Sequence, residues 1–427
     1  MSYDTTRDSE QLRVLDHSID DFIDRYNNSS GPATGPRQTV FLFPGGMGCT
    51  LKRARKPYVD GVSAPQTFAY DTVWLTVDTF LGGALDLRMT KVAPNQFRDK
   101  GNRIIVADGA VGFLGCTPYD DFTRWCRRKR LDYFVYGWDW RRRLTHSGAF
   151  FVKKFLPHFQ DRVKNECNNA DALADFSLIG HSAGGMIVNW ILRRNHPNVA
   201  TMRRAITVAT PFYGYSGQVH RWFEGEAYLN GVADIFKKPM IKVICSLPAC
   251  YAWEFLDGYT WGLNKAALAA DPKYPLPTYP SRDQATGVDA DPYDPQTNGA
   301  LSRYPAPGAT GFDYAELTKG KALVRYLASA LDPALAPKFV NIRGDTLAND
   351  TIGSTTWDWV PPTDPTPIVD GPTVPGDGTQ PAWSARHIGL ELALPANVIT
   401  VKGSDVEHTF TMNSPKTLGA LADALGV

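Results

Sequence analysis

One short stretch carries the residue types of nucleophilic catalysis. Phe176 to Arg194 reads FSLIGHSAGGMIVNWILRR, and within it Gly180-His181-Ser182-Ala183-Gly184 fits the pattern G-x-S-x-G. The residues before it, Phe176–Ile179, read as a buried strand, and Met186–Leu192 continue as a helix. A serine on a tight strand-to-helix turn is lifted clear of both elements, with its hydroxyl free to attack. Such a turn tolerates only small residues two positions either side of the serine, which Gly180 and Gly184 supply, and Gly185 eases the packing of helix on strand. The helix N-terminus adds partial positive charge beside the hydroxyl, where an anion would form. His181 reads as the variable residue of the motif.

A second segment suits the oxyanion of such a reaction. Val40 to Leu51 reads VFLFPGGMGCTL, an apolar strand ending in Pro44-Gly45-Gly46-Met47-Gly48. Bare backbone at the end of a strand can approach a ligand closely and offer its N–H groups. In α/β-hydrolases one oxyanion donor is the amide after the nucleophile, here Ala183, and the other comes from a loop after an early strand. Gly46 is the candidate for the second donor, with Met47 in reserve and as a pocket residue. On its own, the glycine loop would equally suit a phosphate.

An activated serine also needs a histidine, oriented by a carboxylate. In this fold the chain order is serine, acid, histidine. Of eight histidines, His17, His146 and His158 precede Ser182, and His196 and His220 fall before or within an irregular insertion. His408 follows the last expected strand and precedes the last helix, where the base belongs; His387 precedes that strand. Two acids compete. Asp345 directly follows the expected strand Phe339–Ile342, whereas Asp377 stands in Gly376-Asp377-Gly378-Thr379, whose small residues would let a carboxylate accept several backbone N–H bonds. The residues alone leave that choice open.

The order of several motifs resembles the lecithin:cholesterol acyltransferase-like lipases. They are the Pro-Gly-Gly-Met-Gly loop, Tyr136-Gly-Trp-Asp-Trp-Arg141, the serine motif, Ala209-Thr-Pro-Phe-Tyr-Gly214, Ser246-Leu-Pro-Ala-Cys-Tyr251 and Gly376-Asp-Gly-Thr379. The resemblance spans most of Val40 to Phe410; Gln380 departs from it, standing where the family usually has valine. It implies an α/β-hydrolase core with a cap and an acyl-ester substrate. It also favours Asp377 as the acid, Gly46 as an oxyanion donor and His408 as the base. The expected activity is hydrolysis of a carboxylic ester through an acyl-enzyme, with Ser182, His408 and Asp377 as the triad. The alternatives are acyl transfer to an alcohol and, more remotely, a non-catalytic binding protein on the same fold. Trp138 and Trp140 fit two roles equally: walls of an acyl pocket, or a structural cluster behind the oxyanion loop.

These residues need elements to hold them. Strands are expected at Thr39–Phe43, Arg103–Ala107, Tyr133–Tyr136, Phe176–Ile179, Ala205–Val208, Phe339–Ile342 and Val398–Val401. Helices are expected near the N-terminus (Leu12, Leu15, Ile19, Phe22, Ile23), over Phe151–Val163, over Ala183–Arg194 and after Ser414-Pro415. Continuous apolar strands alternating with helices predict an α/β fold: a mostly parallel sheet with helices on both faces. The alternation breaks after Pro211. The expected division is therefore an N-terminal helix and arm over 1–36, a core over 37–211 and 338–427, and an inserted cap over 212–337.

Composition narrows the functional classes. The chain has 427 residues, a net charge of +1 and 43% hydrophobic residues. That charge offers no electrostatic case for nucleic acid as a partner. An aromatic share of 12% instead hints at a bulky apolar acyl or alcohol group, such as that of a lipid ester. No apolar run is long enough to span a bilayer, and the start, MSYDTTRDSEQLRV, lacks the apolar stretch of a secretory signal. A cytoplasmic protein is expected as the sequence stands, and a secreted one only if a leader was removed. The six cysteines, Cys116 among them, form no CxxC pair and read mostly as buried thiols, although Cys245 and Cys250 stand close enough to bridge in an oxidising compartment. No spacing suggests zinc, the run Asp289, Asp291, Asp294 lacks the glycine and glutamate of a calcium loop, and no cofactor or metal is expected.

Overall fold

The computed structural model of the protein describes residues 3–29, 38–54, 70–74, 76, 86–112, 117–167, 173, 175–214, 237–253, 256–271, 273–276, 278–284, 286–289, 291, 313–348, 350–357 and 368–427. Cys116, His220 and Asp294 lie outside them, as do 215–236 and 292–312 of the expected cap. Six strands form the central sheet: β1 (Thr39–Phe43), β2 (Asp132–Val135), β3 (Phe176–His181), β4 (Met202–Val208), β5 (Phe339–Asp345) and β6 (Val398–Lys402). Their spatial order is β6-β5-β4-β3-β1-β2, and every neighbouring pair is parallel.

Both faces are covered, and β1 shows how. Phe41 and Phe43 point into one apolar cluster with Phe134, Phe151, Phe155, Phe159 and Phe176. Val40 and Leu42 point into another with Phe122, Trp125, Leu418 and Leu421. This two-residue alternation, with both sides apolar, is why the strands read as unbroken hydrophobic runs. Helices α1 (Tyr3–Asn28), α3 (Leu156–Glu166) and α4 (Ala183–Arg194) contribute to the first cluster. Helices α2 (Asp120–Arg128) and α6 (Pro415–Leu425) contribute to the second. The Ser414 side chain caps α6 by accepting from the Lys416 and Thr417 amides, with Pro415 in the first turn.

Two expectations change. The strand expected at Arg103–Ala107 runs over Ile105–Ala110 and stays out of the central sheet. It pairs antiparallel with Cys49–Ala54, which pairs in turn with Tyr70–Trp74. Apolar periodicity marks a strand but not the edge it joins. Here α1 lies alongside, and Gln11 exchanges two hydrogen bonds with the Ala107 backbone at 2.7 and 2.9 Å. The helix expected from Phe151 begins earlier, as Leu144–Phe150, and passes through a π-helical turn over Phe151–Phe155 into α3. Pro157 accounts for the wide turn: it has no N–H for the Lys153 carbonyl, and its ring crowds that group.

Segments before and after β5 also pair with each other. Ser281–Asp283 pairs parallel with Thr355–Trp357, which pairs antiparallel with Ile368–Asp370. Helix α5 (Tyr314–Ala328) is fixed to the core by a two-pronged ion pair, Arg143 Nε to Glu316 Oε2 at 2.6 Å and Nη2 to Oε1 at 2.5 Å.

Candidate active site

The turn between β3 and α4 has the geometry its sequence demands. Ser182 sits at φ 53°, ψ −127°, a conformation that costs energy in any residue with a side chain. Its amide donates to the Val208 carbonyl at 2.8 Å, which ties the turn to β4. A methyl group at Gly180 would lie 2.5 Å from the Gly184 carbonyl oxygen, and one at Gly184 would overlap the Phe43 carbonyl oxygen. A methyl at Gly185 would overlap the Thr210 hydroxyl. All three small residues are therefore required by close approach of backbone or neighbour.

Three residues far apart in the chain meet at this turn. His408 Nε2 lies 2.9 Å from Ser182 Oγ, and its Nδ1 lies 2.8 Å from Asp377 Oδ2. The other Asp377 oxygen accepts from the Gln380 amide at 2.7 Å and the Thr379 amide at 3.1 Å. The His408 amide donates to the Asp377 carbonyl at 2.8 Å, so the two residues are joined through backbone as well as side chain. Asp345 is engaged elsewhere. It accepts from the Tyr274 hydroxyl at 2.6 Å and the Leu347 amide at 3.0 Å, with Lys402 at 3.4 Å. His387 is buried with Nδ1 facing the Leu390 N–H at 3.0 Å and Nε2 facing the Arg193 guanidinium at 3.1 Å. Burial, with Arg193 beside it, pushes its imidazole down to about 3.

The glycine loop lies directly over the serine turn. A methyl at Gly45 would come within 3.1 Å of Ser182 Cβ. The Gly45 amide donates to the Tyr119 hydroxyl at 2.7 Å, whereas the Gly46 and Met47 amides donate to no described residue. Ala183 opens α4, so its amide is among the first-turn N–H groups with no intrahelical carbonyl. Met47 is held at φ 60° and buried, and the Gly46 Cα faces the Trp253 ring, which a methyl there would strike at 2.7 Å.

Three indoles hold the loop from behind. Trp138 Nε1 donates to the Pro44 carbonyl at 2.8 Å, Trp74 Nε1 to Met47 at 2.9 Å and Trp140 Nε1 to Cys49 at 3.2 Å. Trp138 and Trp140 are 1% and 0% exposed, with their indole N–H groups committed to the loop's carbonyls. Below them the fully buried Arg141 grips Asp139 through two bonds of 2.9 and 2.8 Å and meets Asp99 at 2.8 Å. Burial alone would raise the Asp139 carboxyl. Arg141, Arg7 and Arg142 overcome it and hold the group well below the usual carboxylate range. Tyr119, Trp74 and Trp253 were not found by sequence reasoning. None lies in a motif, and each reaches the site only through the tertiary fold.

No protein-family profile matches the chain, and no curated protein matches it. A solved structure does resemble it. The crystal structure of the Tle4–Tli4 complex superposes with a TM-score of 0.50 at 13% identity, over 92% of this chain and 98% of that one. The fold is α/β-hydrolase-like. The crystal structure of the lin2722 gene product from Listeria innocua matches with a TM-score of 0.32 at 10% identity, over 92% of this chain and 94% of that one. Among the described residues, no helix is long and apolar enough to cross a membrane.

Proposed function

We propose that this chain is a serine hydrolase of carboxylic esters, with Ser182 as nucleophile, His408 as base and Asp377 as orienting acid. The observation that carries this reading is the unbroken contact from Asp377 through His408 to Ser182, at 2.8 and 2.9 Å, on a strained strand-to-helix turn. Ser182 Oγ attacks the ester carbonyl as His408 Nε2 takes its proton. Asp377 holds the Nδ1–H and stabilises the imidazolium. The amides of Gly46 and Ala183 receive the oxyanion, each contributing on the order of 3 kcal/mol in the transition state. His408 then protonates the departing alkoxide. Water, deprotonated by the same imidazole, attacks the acyl-enzyme to release the acid and restore Ser182.

The ordered motifs from the Pro-Gly-Gly-Met-Gly loop to Gly-Asp-Gly-Thr further support a lecithin:cholesterol acyltransferase-like lipase, with residues 212–337 shaping the ester pocket. A fluorophosphonate probe should label the wild-type protein at Ser182. Ser182→Ala should fold normally, escape the probe and lose ester hydrolysis by about 10⁴-fold or more. Full turnover by a folded Ser182→Ala variant would end this reading.

A further inference from the structure

The residue inside the serine motif has a role of its own. His181 is buried beneath Ser182, and its two ring nitrogens reach different loops. Nε2 lies 3.0 Å from the main-chain carbonyl oxygen of His408, and Nδ1 lies 2.9 Å from the hydroxyl of Tyr119. Tyr119 is the residue just before α2, and its hydroxyl oxygen takes the Gly45 amide at 2.7 Å. These contacts permit one assignment of protons. A carbonyl only accepts, so Nε2 carries the hydrogen. Nδ1 of the neutral ring is then an acceptor, so Tyr119 donates to it and receives from Gly45. Every donor in the series Gly45 N–H, Tyr119 O–H, His181 Nε2–H has an acceptor, which is what keeps a buried polar network favourable. Burial and the nearby His408 both hold the His181 imidazole well below its ordinary range, in keeping with a neutral ring.

The geometry points to His181 and Tyr119 as a buried positioning brace that sets the loop of the base against the loop of the oxyanion donors. His408 is pinned on both sides of its main chain, its amide by the Asp377 carbonyl and its own carbonyl by His181. The Gly45 amide is committed to Tyr119, which removes it as an oxyanion donor and fixes the turn that presents Gly46. One imidazole thus couples two halves of the proposed machinery that lie hundreds of residues apart. Neither brace residue touches the reacting atoms through a hydrogen bond; both act through their neighbours. This inference rests on the ester-hydrolase reading.

Amide variants separate the two ends of the brace. The Asn side-chain amide falls near the position of imidazole Nδ1, and that of Gln near Nε2. His181→Asn therefore keeps a partner for Tyr119 and releases the His408 carbonyl, while His181→Gln does the reverse. The test compares kcat/KM for ethyl butyrate and p-nitrophenyl butyrate, which form the same acyl-enzyme. Ethoxide needs a proton from His408 to leave and nitrophenolate does not, so a displaced base penalises the ethyl ester more. His181→Asn should cost about 100-fold on the ethyl ester and about tenfold on the nitrophenyl ester, with His181→Gln recovering most of the difference. Equal losses on both esters, or none, with Ser182 still labelled by fluorophosphonate, would overturn the brace. Should His181→Asn fail to fold, Tyr119→Phe decides. It should lower kcat about tenfold on both esters with KM within about twofold, and an unchanged kcat would overturn the proposal. A wild-type protein that neither hydrolyses these esters nor takes the probe would instead overturn the ester-hydrolase reading on which the brace rests.

Discussion

Two aspartates at the C-terminal edge of the sheet make opposite use of their carboxylates. Asp377 spends one oxygen on backbone amides and the other on His408 Nδ1. Asp345 accepts from Tyr274 and the Leu347 amide and faces Lys402, so it ties the segment around Tyr274 to β5. The two should part sharply on substitution. Asp377→Asn would leave His408 in the wrong tautomer and lower ester turnover by about 10³- to 10⁴-fold. Asp345→Asn would leave turnover within about threefold and cost about 1–2 kcal/mol of stability through the weakened Tyr274 bond. Steady-state kinetics beside urea melts of both variants measures this contrast, and a larger kinetic loss in Asp345→Asn would reverse the assignment.

At the scale of elements, the glycine loop over Ser182 depends on side chains buried behind it. Three indoles from two segments hold its carbonyls, and Trp74 and Trp140 pack edge to face at 5.0 Å between ring centres. Arg141 anchors this layer by joining Asp139 after β2 to Asp99, which ends an antiparallel pair of Met89–Ala93 with Gln96–Asp99, while Arg7 of α1 reaches the same Asp139 at 2.9 Å. Arg141→Met keeps the length of the side chain but takes the guanidinium from buried Asp99 and one of three from Asp139, which keeps Arg7 and Arg142. It should cost about 3–5 kcal/mol, read as a lowered urea midpoint. Because the layer backs Pro44 to Cys49, the same variant should lose kcat under conditions where it remains folded. A change below about 1 kcal/mol would show that the pairs are dispensable.

For the whole molecule, the buried histidines make acid a destabiliser. His181 and His387 are held neutral in the folded state, His387 down to about 3, whereas an unfolded histidine titrates near 6.5. Below that value the unfolded chain binds protons that the folded chain refuses. Stability is thus fully present above about pH 6.5 and falls as pH drops toward about 3 for His387. The urea midpoint should decline steadily from pH 7 to pH 4. His387→Gln should flatten that slope, whatever it does to stability at neutral pH. An equally steep decline in the variant would show that His387 does not drive it.

What the sequence by itself determined is local. The strand, turn and helix around Ser182 are written in consecutive residues, because close backbone approach excludes side chains at Gly180, Gly184 and Gly185. The six strands of the parallel sheet were legible for a different reason: most of their residues are apolar and buried, whichever face they point to. The chain order of α/β-hydrolases then singled out His408. Only the tertiary structure decided which aspartate reaches His408, because Tyr274 captures the other one through a contact spanning 71 residues. It also decided that Ile105–Ala110 joins a separate sheet, that Trp138 and Trp140 back the loop, and that His181 and Tyr119 link two loops. Contacts between residues so far apart leave no periodicity in the chain. They exist only once the strands have brought their C-terminal ends to one edge.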